Sequence, residues 1–557
     1  MAVIPATTAS GQPVLLLKEA ATETKGRAAQ KNNIMAAKVI AELVKSSLGP
    51  KGMDKMIVDS IGDVTITNDG ATMLKQIDVQ HPAAKMMVEL AKATDNEVGD
   101  GTTSVVVLAG ALLERAEELI DKDIHPIIIV DGYRNASEKA LEILKDIAIR
   151  IDPDDKGWLK KVATTPMASK LVAEESDYLA ELVVDALLQV REKVGEQYKV
   201  EIDYVKVEKK PGGSLRDTML IKGVALDKEV VHSGMPKRIE KAKIALLNTP
   251  LEIEKTEFSA EIRINDPLQI KRFMDEETKI LKEMVDKIVN TGANVVICQK
   301  GIDDIAQHFL AKKGILAVRR VKQSDMDKLA RASGGRIVTN VDDLTPNDLG
   351  EAELVEERKV ETDKWVFIEG CKNPKSVTLF IRGGSQRVVD EAERSVHDAL
   401  MVVKDVIEKP YIVAGGGAPE AELAYKLREW SNTLSGREQL AAQRFADAIE
   451  SIALTLATNA GLDPIDIGVE LRSMHSKGNR WYGVNLFKGK VDDMEALGIY
   501  EPLVVKEQII KGATEAASMI LRIDDVVAAG KTKETPKPPT PPGGEEGGEK
   551  GGETPSD

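Results

Sequence analysis

A glycine-flanked segment, Gly99-Asp100-Gly101-Thr102-Thr103-Ser104, runs directly into an apolar helical pattern over residues 105–113. Glycines at a helix start let backbone N–H groups approach an anion, and the helix N-terminus adds a partial positive charge. The three hydroxyl side chains can donate to phosphate oxygens, and Asp100 is the type of residue that holds Mg²⁺ against phosphates. The segment predicts a phosphate-binding loop, although a simple loop with Thr and Ser caps has the same composition.

Two further glycine clusters are compatible with close contact to a ligand. Leu48-Gly49-Pro50-Lys51-Gly52 follows a helical pattern over residues 33–47 and would end that helix with a C-cap glycine and a proline. Ala414-Gly415-Gly416-Gly417 precedes a helix whose Pro419 suits the first turn. Three consecutive glycines are costly to order. Close approach to a ligand would explain them, and a hinge would explain them as well.

Any ATP site in this chain differs from the common nucleotide motifs. Gly530-Lys531-Thr532 resembles the end of a Walker A loop, but Asp525 occupies the place of the first glycine of that motif. The sequence also lacks a kinase catalytic-loop signature and a strand–GxGxxG–helix fingerprint. A nucleotide would therefore be bound by a loop of another kind.

Carboxylates that could act on water lie beside these loops and on a long predicted helix. Asn68-Asp69-Gly70 forms a turn after a short strand at 65–67. The helix predicted over 385–408 carries further candidates: Asp390, Glu393, His397 and Asp398. A carboxylate that orients or deprotonates water would suit phosphoryl transfer, but a solvated helix face contains the same residue types. Composition and spacing do not choose among these residues.

The order of predicted elements indicates a domain inserted into a mostly helical chain. Near the N-terminus, two short strands at 56–58 and 65–67 are joined by a Gly62-Asp63 turn, and a helix covers 82–91. The middle alternates strands (295–297, 315–318, 336–339) with helices (303–312, 324–332). Such β-α-β-α-β alternation predicts a parallel sheet. After it we expect a strand at 376–381 and then helices continuing to about residue 527.

Composition excludes several classes of protein. The length of 557 residues suggests several domains, and the net charge of -15 argues against an electrostatic nucleic-acid binder. Two cysteines, Cys298 and Cys371, fit a reducing cytosol, and no Cys or His spacing indicates a zinc site. The apolar run at 14–17 is too short for a signal peptide, and no run approaches the ~20 residues that span a bilayer. We therefore expect a cytoplasmic protein with no membrane insertion.

The final segment, 531–557, consists mainly of Pro, Gly, Glu, Lys and Thr. It has no large apolar residue to bury, so it cannot offset the entropy lost on ordering. The composition predicts a disordered tail.

Taken together, the motifs resemble the nucleotide loops of the group II chaperonins, the family of the archaeal thermosome subunits. The matching segments, in chain order, are LGPKGMDKM at 48–56, TNDGAT at 67–72, GDGTTS at 99–104, VAGGG at 413–417 and LRIDD at 521–525. Segments that resemble group II in particular are QHPAA at 80–84, HSGMP at 232–236 and NAGLDP at 459–464. The resemblance covers essentially residues 12–530.

The resemblance implies a chaperonin fold with three domains. A mostly helical equatorial ATP-binding domain would comprise 1–152 and 408–530, and an intermediate domain would comprise 153–222 and 372–407. An α/β apical, substrate-binding domain would comprise 223–371, and its helical protrusion at about 254–287 would act as a built-in lid. The protrusion is charged and contains scattered apolar residues: Phe258, Ile262, Ile264, Leu268, Ile270 and Phe273.

The resemblance also assigns roles around ATP and Mg²⁺. Asp100 matches the Mg²⁺ ligand, Asp398 the aspartate that activates the attacking water, and Asp69 a second carboxylate near that water. The matched phosphate-binding loops contain Leu48, Gly49, Pro50, Gly101, Thr102, Thr103 and Ser104.

Further roles concern the nucleoside and the γ-phosphate. Gly416 and Glu501 would flank the ribose and adenine, and the segment from Gly483 to Asn485 would cover the base. Lys170 resembles a lysine that senses the γ-phosphate, although the preceding sequence TTPMAS at 164–169 departs from the commoner serine- and leucine-containing version.

The function implied is that of an ATP-hydrolysing chaperone subunit. Like or paralogous subunits would form two stacked rings of eight or nine, which enclose non-native proteins without a separate lid protein. The alternative is an ATP-regulated holding or structural assembly with little turnover. The presence of Asp69, Asp100 and Asp398 favours the ATPase. The sequence leaves open the paralogue, the ring size and the clients.

Overall fold

The computed structural model describes residues 5–7, 13–15, 22–58, 62, 64–168, 172–253, 267–372 and 374–528. The α-helices in this part are α1 Gly26–Lys45, α2 Gly70–Gln76, α3 Pro82–Val98, α4 Thr102–Ile120, α5 Pro126–Ile147, α6 Lys156–Met167, α7 Ser176–Val190, α8 Pro267–Asn290, α9 Asp304–Lys312, α10 Gln323–Ser333, α11 Gln386–Glu408, α12 Ala418–Ser431, α13 Gly436–Asn459, α14 Pro464–Ser476 and α15 Leu503–Leu521. Helices dominate residues 26–190 and 386–521, on either side of the middle of the chain, as the sequence predicts.

The strands concentrate in the middle of the chain. They are β1 Pro5–Thr7, β2 Pro13–Leu15, β3 Thr22–Lys25, β4 Lys55–Val58, β5 Val64–Thr67, β6 Ile149–Arg150, β7 Glu192–Val194, β8 Gln197–Lys199, β9 Val205–Pro211, β10 Met219–Ile221, β11 Gly223–Leu226, β12 Arg238–Leu247, β13 Val295–Cys298, β14 Leu316–Val318, β15 Ile337–Val338, β16 Gly350–Val360, β17 Asp363–Glu369, β18 Val377–Gly383, β19 Tyr411–Ala414, β20 Tyr482–Asn485, β21 Lys490–Asp493, β22 Tyr500–Pro502 and β23 Asp525–Ala528. The chain is thus a mixture of helix and sheet.

One compact unit contains the described residues of two stretches, Met1–Asn32 and Ile523–Asp557. In it, β3 pairs antiparallel with β23, with Lys25 opposite Asp525. The prediction of helix to about residue 527 is wrong here, since α15 ends at Leu521 and a strand follows. Val526 and Val527 are β-branched and favour a strand, and β3 supplies the paired edge.

The other unit, Asn33–Arg522, contains three large apolar cores. The first core draws on two distant stretches, 34–147 and 413–521. Its centre is α4, which is apolar nearly all round and packs against α3, α13 and α15. At Gly110 the contact with α1 is so close that a Cβ atom would lie 2.3 Å from the Cβ of Ala41.

The second core, within 224–371, surrounds a sheet with the order β11-β17-β16-β12-β13-β14. Strands β13 and β14 run parallel, as the β-α-β alternation predicts, and β12, which precedes that pattern, runs parallel to β13. The predicted strands form only the parallel part of this sheet, because β16 joins β12 antiparallel and the sheet continues through antiparallel strands β17 and β11. Strand β15 pairs with β12 and not with β14. These partners are distant in sequence, so local periodicity does not reveal them.

The third core joins residues 151–205 to 377–412 and packs α11 against α6 and α7. Helix α11 is amphipathic, and Val389, Val396 and Val403 recur every seventh residue on its buried face. Asp398 is two positions after Val396, which turns it roughly 200° away from that face. Asp398 therefore lies on a different face of α11 from the face that is buried in the third core.

Most predicted elements occur with shifted ends. Helix α1 begins at Gly26 and ends at Lys45, four residues before Gly49, whose φ of +82° still needs glycine. Helix α3 extends past the predicted end to Val98. Both cysteines are buried and free. Within the part that the structure describes, no helix is long and apolar enough to cross a membrane.

Several predictions fall outside the described residues. These are Asp63 of the predicted turn, Lys170, the 254–266 part of the protrusion with Phe258, Ile262 and Ile264, and the tail at 531–557. Helix α8 forms the later part of the predicted protrusion, where Phe273 and Met274 are 50% and 61% exposed.

The close contact at Gly110 generates a stability prediction. Gly110→Ala should lower the free energy of unfolding by about 1–3 kcal/mol, because α1 and α4 have no room for a methyl group. The control is Gly468→Ala on α14, where the added Cβ meets only the flexible end of Leu454 at 3.1 Å. That change should be neutral or stabilise by up to ~1 kcal/mol. Urea unfolding at equal subunit concentration measures both, and equal effects would contradict the packing.

Candidate nucleotide site

A cavity of about 670 Å³ lies in the 33–522 unit and gathers most of the predicted site residues. Those in its wall are Leu48, Gly49, Pro50, Asp69, Asp100, Gly101, Thr102, Thr103, Ser104, Asp398, Gly416, Asn485 and Glu501. Gly483 stands behind the wall, where a Cβ atom would lie 2.7 Å from the carbonyl oxygen of Gly416. The residues come from seven stretches of the chain that sequence alone does not bring together.

The segment between α3 and α4 forms the part of the wall at the N-terminus of α4. Gly99 ends α3 and Gly101 precedes α4, and both have left-handed φ values, +68° and +76°. Gly101 has no side chain to cap α4, and residues 101–104 line the cavity, so uncapped N–H groups at the start of that helix lie beside it. The N–H of Gly101 donates to Oδ1 of Asp100 at 2.6 Å, which fixes that carboxylate in the loop.

Asp69 connects the start of α2 to the start of α4. Its Oδ2 accepts a hydrogen bond from the N–H of Thr72 at 2.7 Å, and its Oδ1 accepts from the Thr102 hydroxyl at 3.0 Å. Next to it, a Cβ atom on Gly70 would lie 2.7 Å from Oγ1 of Thr103. The 67–72 and 99–104 loops are therefore in direct contact, with Asp69 held between them.

Helix α11 passes directly over the end of α3. A Cβ atom on Gly99 would lie 2.3 Å from the Cβ of Met401, so only glycine allows this approach. Asp398 is three residues before Met401 and reaches the cavity wall. The contact explains how a helix whose buried face belongs to another core also contributes to this site.

An apolar surface lines another part of the cavity beside the glycine loop. The N–H of Val484 donates to the carbonyl oxygen of Gly416 at 2.9 Å, which joins the loop to β20. The apolar side chains of the wall include Ile452, Leu456, Val484, Leu486, Phe487, Leu497 and Ile499. A planar base suits such a surface, whereas the polar residues suit phosphates.

Sequence reasoning missed part of the wall. Helices α6 and α7 add Lys160, Lys161, Thr164, Thr165 and Asp177, which have ordinary helical sequence contexts. Glu420 and Lys506 were also missed. The only sequence signal for Glu420 is its position just after the triple glycine, and the only one for Lys506 is its position near Glu501.

Glu420, Lys506 and Glu501 form a buried ionic cluster. The ammonium of Lys506 is 2.8 Å from Oε1 of Glu420 and 2.6 Å from Oε2 of Glu501. Burial raises the pKa of Glu501 above its ordinary value; Glu420 raises it further, and Lys506 opposes the rise. Burial alone would lower the pKa of Lys506, but the two carboxylates raise it above its ordinary value.

A divalent metal fits this site only with help from a ligand. Among the described residues, no group of three or more His, Cys, Asp or Glu side chains could hold a metal ion. Mg²⁺ does not require such a group, since it usually binds one or two carboxylates, several waters and substrate phosphates. Asp100 lies just before the N-terminus of α4 and lines the cavity, and its carboxylate could serve as such a ligand.

Comparison with known proteins gives consistent results over nearly the whole chain. Residues 40–531 match the TCP-1/cpn60 chaperonin family model. The thermosome alpha subunit of Archaeoglobus fulgidus is 60% identical over 539 residues, 97% of this chain and 99% of the relative. A thermosome subunit of Methanopyrus kandleri is 60% identical over 93% of this chain and 95% of its own length. The beta subunit of Thermococcus kodakarensis is 59% identical over 94% and 96%.

Asp405, two turns after Asp398 on α11, generates a prediction about pH. Its Oδ2 is buried without a hydrogen-bond partner in the described structure, and burial, the main cause, raises its pKa from 3.8 to about 7. The folded state therefore binds the proton of Asp405 more tightly than the unfolded state does. The stabilising contribution of this proton is complete below pH ~4 and is lost as the pH rises through ~7.

Asp405→Asn should remove this pH dependence. Relative to the parent chain, the variant should gain up to about 4 kcal/mol in free energy of unfolding between pH 4 and pH 8. Denaturant titrations at a series of pH values measure the difference, with Asp146→Asn on the exposed face of α5 as control. Parallel curves for the Asp405 variant and its parent would contradict the assignment.

Proposed function

The chain belongs to the TCP-1/cpn60 chaperonin family, and from that membership we propose how its residues bind and hydrolyse ATP. It is a group II chaperonin subunit, an ATP-dependent chaperone and ATP hydrolase that works in a ring. One observation carries the residue assignments. Asp69, Asp100 and Asp398 come from three distant parts of the chain and line one cavity with the N-terminus of α4.

We assign the phosphates to the loops at 48–50 and 99–104. The N–H groups of α4 and the hydroxyls of Thr102, Thr103 and Ser104 are donors beside a helix N-terminus, which attracts anions. Asp100 would hold Mg²⁺, which would bridge phosphate oxygens and neutralise their charge. The loop at 48–50 would contact the phosphates from the opposite side, with Leu48, Gly49 and Pro50.

We assign activation of water to Asp398. Positioning and charge stabilisation supply most of the acceleration in phosphoryl transfer, and a carboxylate that orients or deprotonates water adds to it. Asp69 is the second carboxylate, and its bonds to Thr72 and Thr102 hold it at the phosphate loop. Lys170 would contact the γ-phosphate; this rests on the sequence resemblance alone.

The nucleoside would occupy the apolar part of the cavity. Gly416 and Glu501 would flank the ribose and adenine, and Asn485 would cover the base with Val484. Gly483 would contribute by letting β20 approach the glycine loop, since a side chain there would collide with the carbonyl of Gly416.

The three-domain division remains our proposal, and the three cores support it. The equatorial domain (1–152 and 408–530) would contain the first core, and the intermediate domain (153–222 and 372–407) the third. The apical domain (223–371) would contain the second core and bind clients, with the protrusion at about 254–287 as the built-in lid.

For the assembly, we propose two stacked rings of eight or nine like or paralogous subunits in the cytoplasm. Large apolar side chains stand exposed on α1 and on the β4–β5 hairpin: Met35, Val39, Met56, Val58 and Ile66. A monomer in water would rarely expose such groups together, and contact with a neighbouring subunit would cover them. Non-native clients would be enclosed inside the rings.

Asp398→Ala tests the hydrolytic assignment. We expect kcat for ATP to fall by about a hundredfold or more, because loss of a general base removes an interaction made in the transition state. The dissociation constant of ATP should change little. Asp390→Ala is the matched control, because Asp390 lies on the same helix and pairs with Lys209 away from the cavity. Near-normal turnover by assembled Asp398→Ala rings would remove Asp398 from this role.

Asp100→Ala tests the metal assignment. Nucleotide binding should require a much higher Mg²⁺ concentration, since the ion would lose its protein ligand. The measurement is a Mg²⁺ titration of ATP binding at fixed ATP, repeated without Mg²⁺ to isolate the metal-dependent part. An unchanged Mg²⁺ requirement would show that another group holds the ion.

A further inference from the structure

The ionic cluster around Lys506 has a geometry that the assigned roles do not explain. The side chains of Lys506 and Glu420 are 8% and 5% exposed, whereas Glu501 is 19% exposed. Glu501 is thus the member with the most surface available to a ligand in the cavity. Burial of the lysine is costly, and although Lys506 also lines the cavity, it exposes less surface there than Glu501 does.

The cluster joins the elements that shape the nucleoside end of the cavity. Glu420 is the third residue of α12, which follows the triple glycine, and Lys506 is the fourth residue of α15. Glu501 lies on β22, opposite Val413 of β19, the strand that leads into the glycine loop. Lys506 therefore ties the strand that carries Glu501 to the helix that follows the loop.

The lysine also determines which oxygen of Glu501 is left for a ligand. Oε2 of Glu501 is 2.6 Å from the ammonium of Lys506. Oε1 points over the glycine loop, where a Cβ atom on Gly415 would lie 2.8 Å away. A glycine at 415 makes room for this oxygen, and the bond to Oε2 keeps the carboxylate from turning.

We propose that Lys506, held by Glu420, is a positioning residue that fixes Oε1 of Glu501 as the acceptor for a ribose hydroxyl and thereby selects ribonucleotides over deoxyribonucleotides. The inference rests on the proposed place of Glu501 beside the ribose. A hydrogen bond to an ionised acceptor is stronger than one to a neutral acceptor, and its strength depends on direction. The lysine favours the ionised form of Glu501 and fixes its direction.

Charge balance decides which variant isolates this role. Two carboxylates and one ammonium carry one excess negative charge, and Oε2 of Glu420 is buried without a hydrogen-bond partner in the described structure. The N-terminal turns of α12 and α15 offset that charge. Lys506→Met alone would leave two unpaired buried carboxylates and would be strongly destabilising. The double variant Glu420→Gln/Lys506→Met keeps one negative charge in the cluster. It still removes the contact that holds Oε2 of Glu501.

The experiment compares kcat/KM for ATP, 2′-deoxyATP and 3′-deoxyATP on assembled rings. The parent chain should prefer ATP over at least one analogue by about tenfold or more, as expected for a hydrogen bond to a charged group. Glu501→Gln should lose most of that preference. The Glu420→Gln/Lys506→Met variant should lose it to a similar extent, and adding Glu501→Gln to that variant should change the preference no further.

The matched control is Lys206→Met. Lys206 is 7% exposed and lies between Glu208 and Asp325, so it is buried and paired like Lys506, but it lies away from the cavity. Its loss should leave the preference for ATP over the analogues unchanged. Should the double variant fail to assemble, Lys506→Arg replaces it, and the displaced carboxylate should lower the preference at least threefold.

The outcomes separate this inference from the proposed function. If the parent shows no preference, or Glu501→Gln leaves it unchanged, the assignment of Glu501 to the ribose is wrong. If Glu501→Gln loses the preference and the Lys506 variants keep it, the ribose assignment stands and the positioning role is wrong. The positioning role is also wrong if the combined variant loses the preference for ATP by the product of the two separate losses.

Discussion

The close passage of α11 over Gly99 is the constraint on which the site depends. The Cβ of Met401 occupies the space that a side chain at 99 would need, so a helix from one core lies against a loop of another. The same glycine ends α3 with a left-handed φ, which turns the chain toward the N-terminus of α4. A single residue thus fixes both the direction of the phosphate loop and the approach of Asp398 to it. Because Asp398 and Met401 lie on the same helix, a shift of α11 at this contact changes the position of Asp398 directly.

Local chemistry was predictable wherever one segment contains the whole signal. The glycine-flanked segment before α4, the turn at Asn68-Asp69-Gly70 and the long helix α11 all follow from spacing and residue type. The β-α-β-α-β pattern also predicts the parallel strands β13, β14 and β15, whereas β12, with which β13 and β15 pair, precedes the pattern. Motif resemblance was needed to select Asp398 from Asp390, Glu393 and His397, since all four lie on one charged helix.

Features that depend on distant partners were not predictable. Strand β23 exists because β3 lies beside it, and the antiparallel half of the large sheet depends on strands far along the chain. Lys506 and Glu420 lie 86 residues apart and have no motif, yet they form the most buried ionic contact of the cavity. Lys160 and Lys161 reach the cavity only because α6 packs against α11. Tertiary packing supplies this information, and helix or strand periodicity does not contain it.

The central claim is that one cavity orients ATP with its phosphates at the N-terminus of α4 and its base against the apolar wall. A structure of the assembled rings with Mg²⁺, ADP and a planar γ-phosphate mimic tests it most directly. In that structure the phosphates should lie within hydrogen-bond distance of the N–H groups at 101–104. Asp100 should bind the metal, and Asp398 should lie within reach of the attacking water. A nucleotide bound in the reverse direction, or with Asp398 remote from the transferred group, would contradict it.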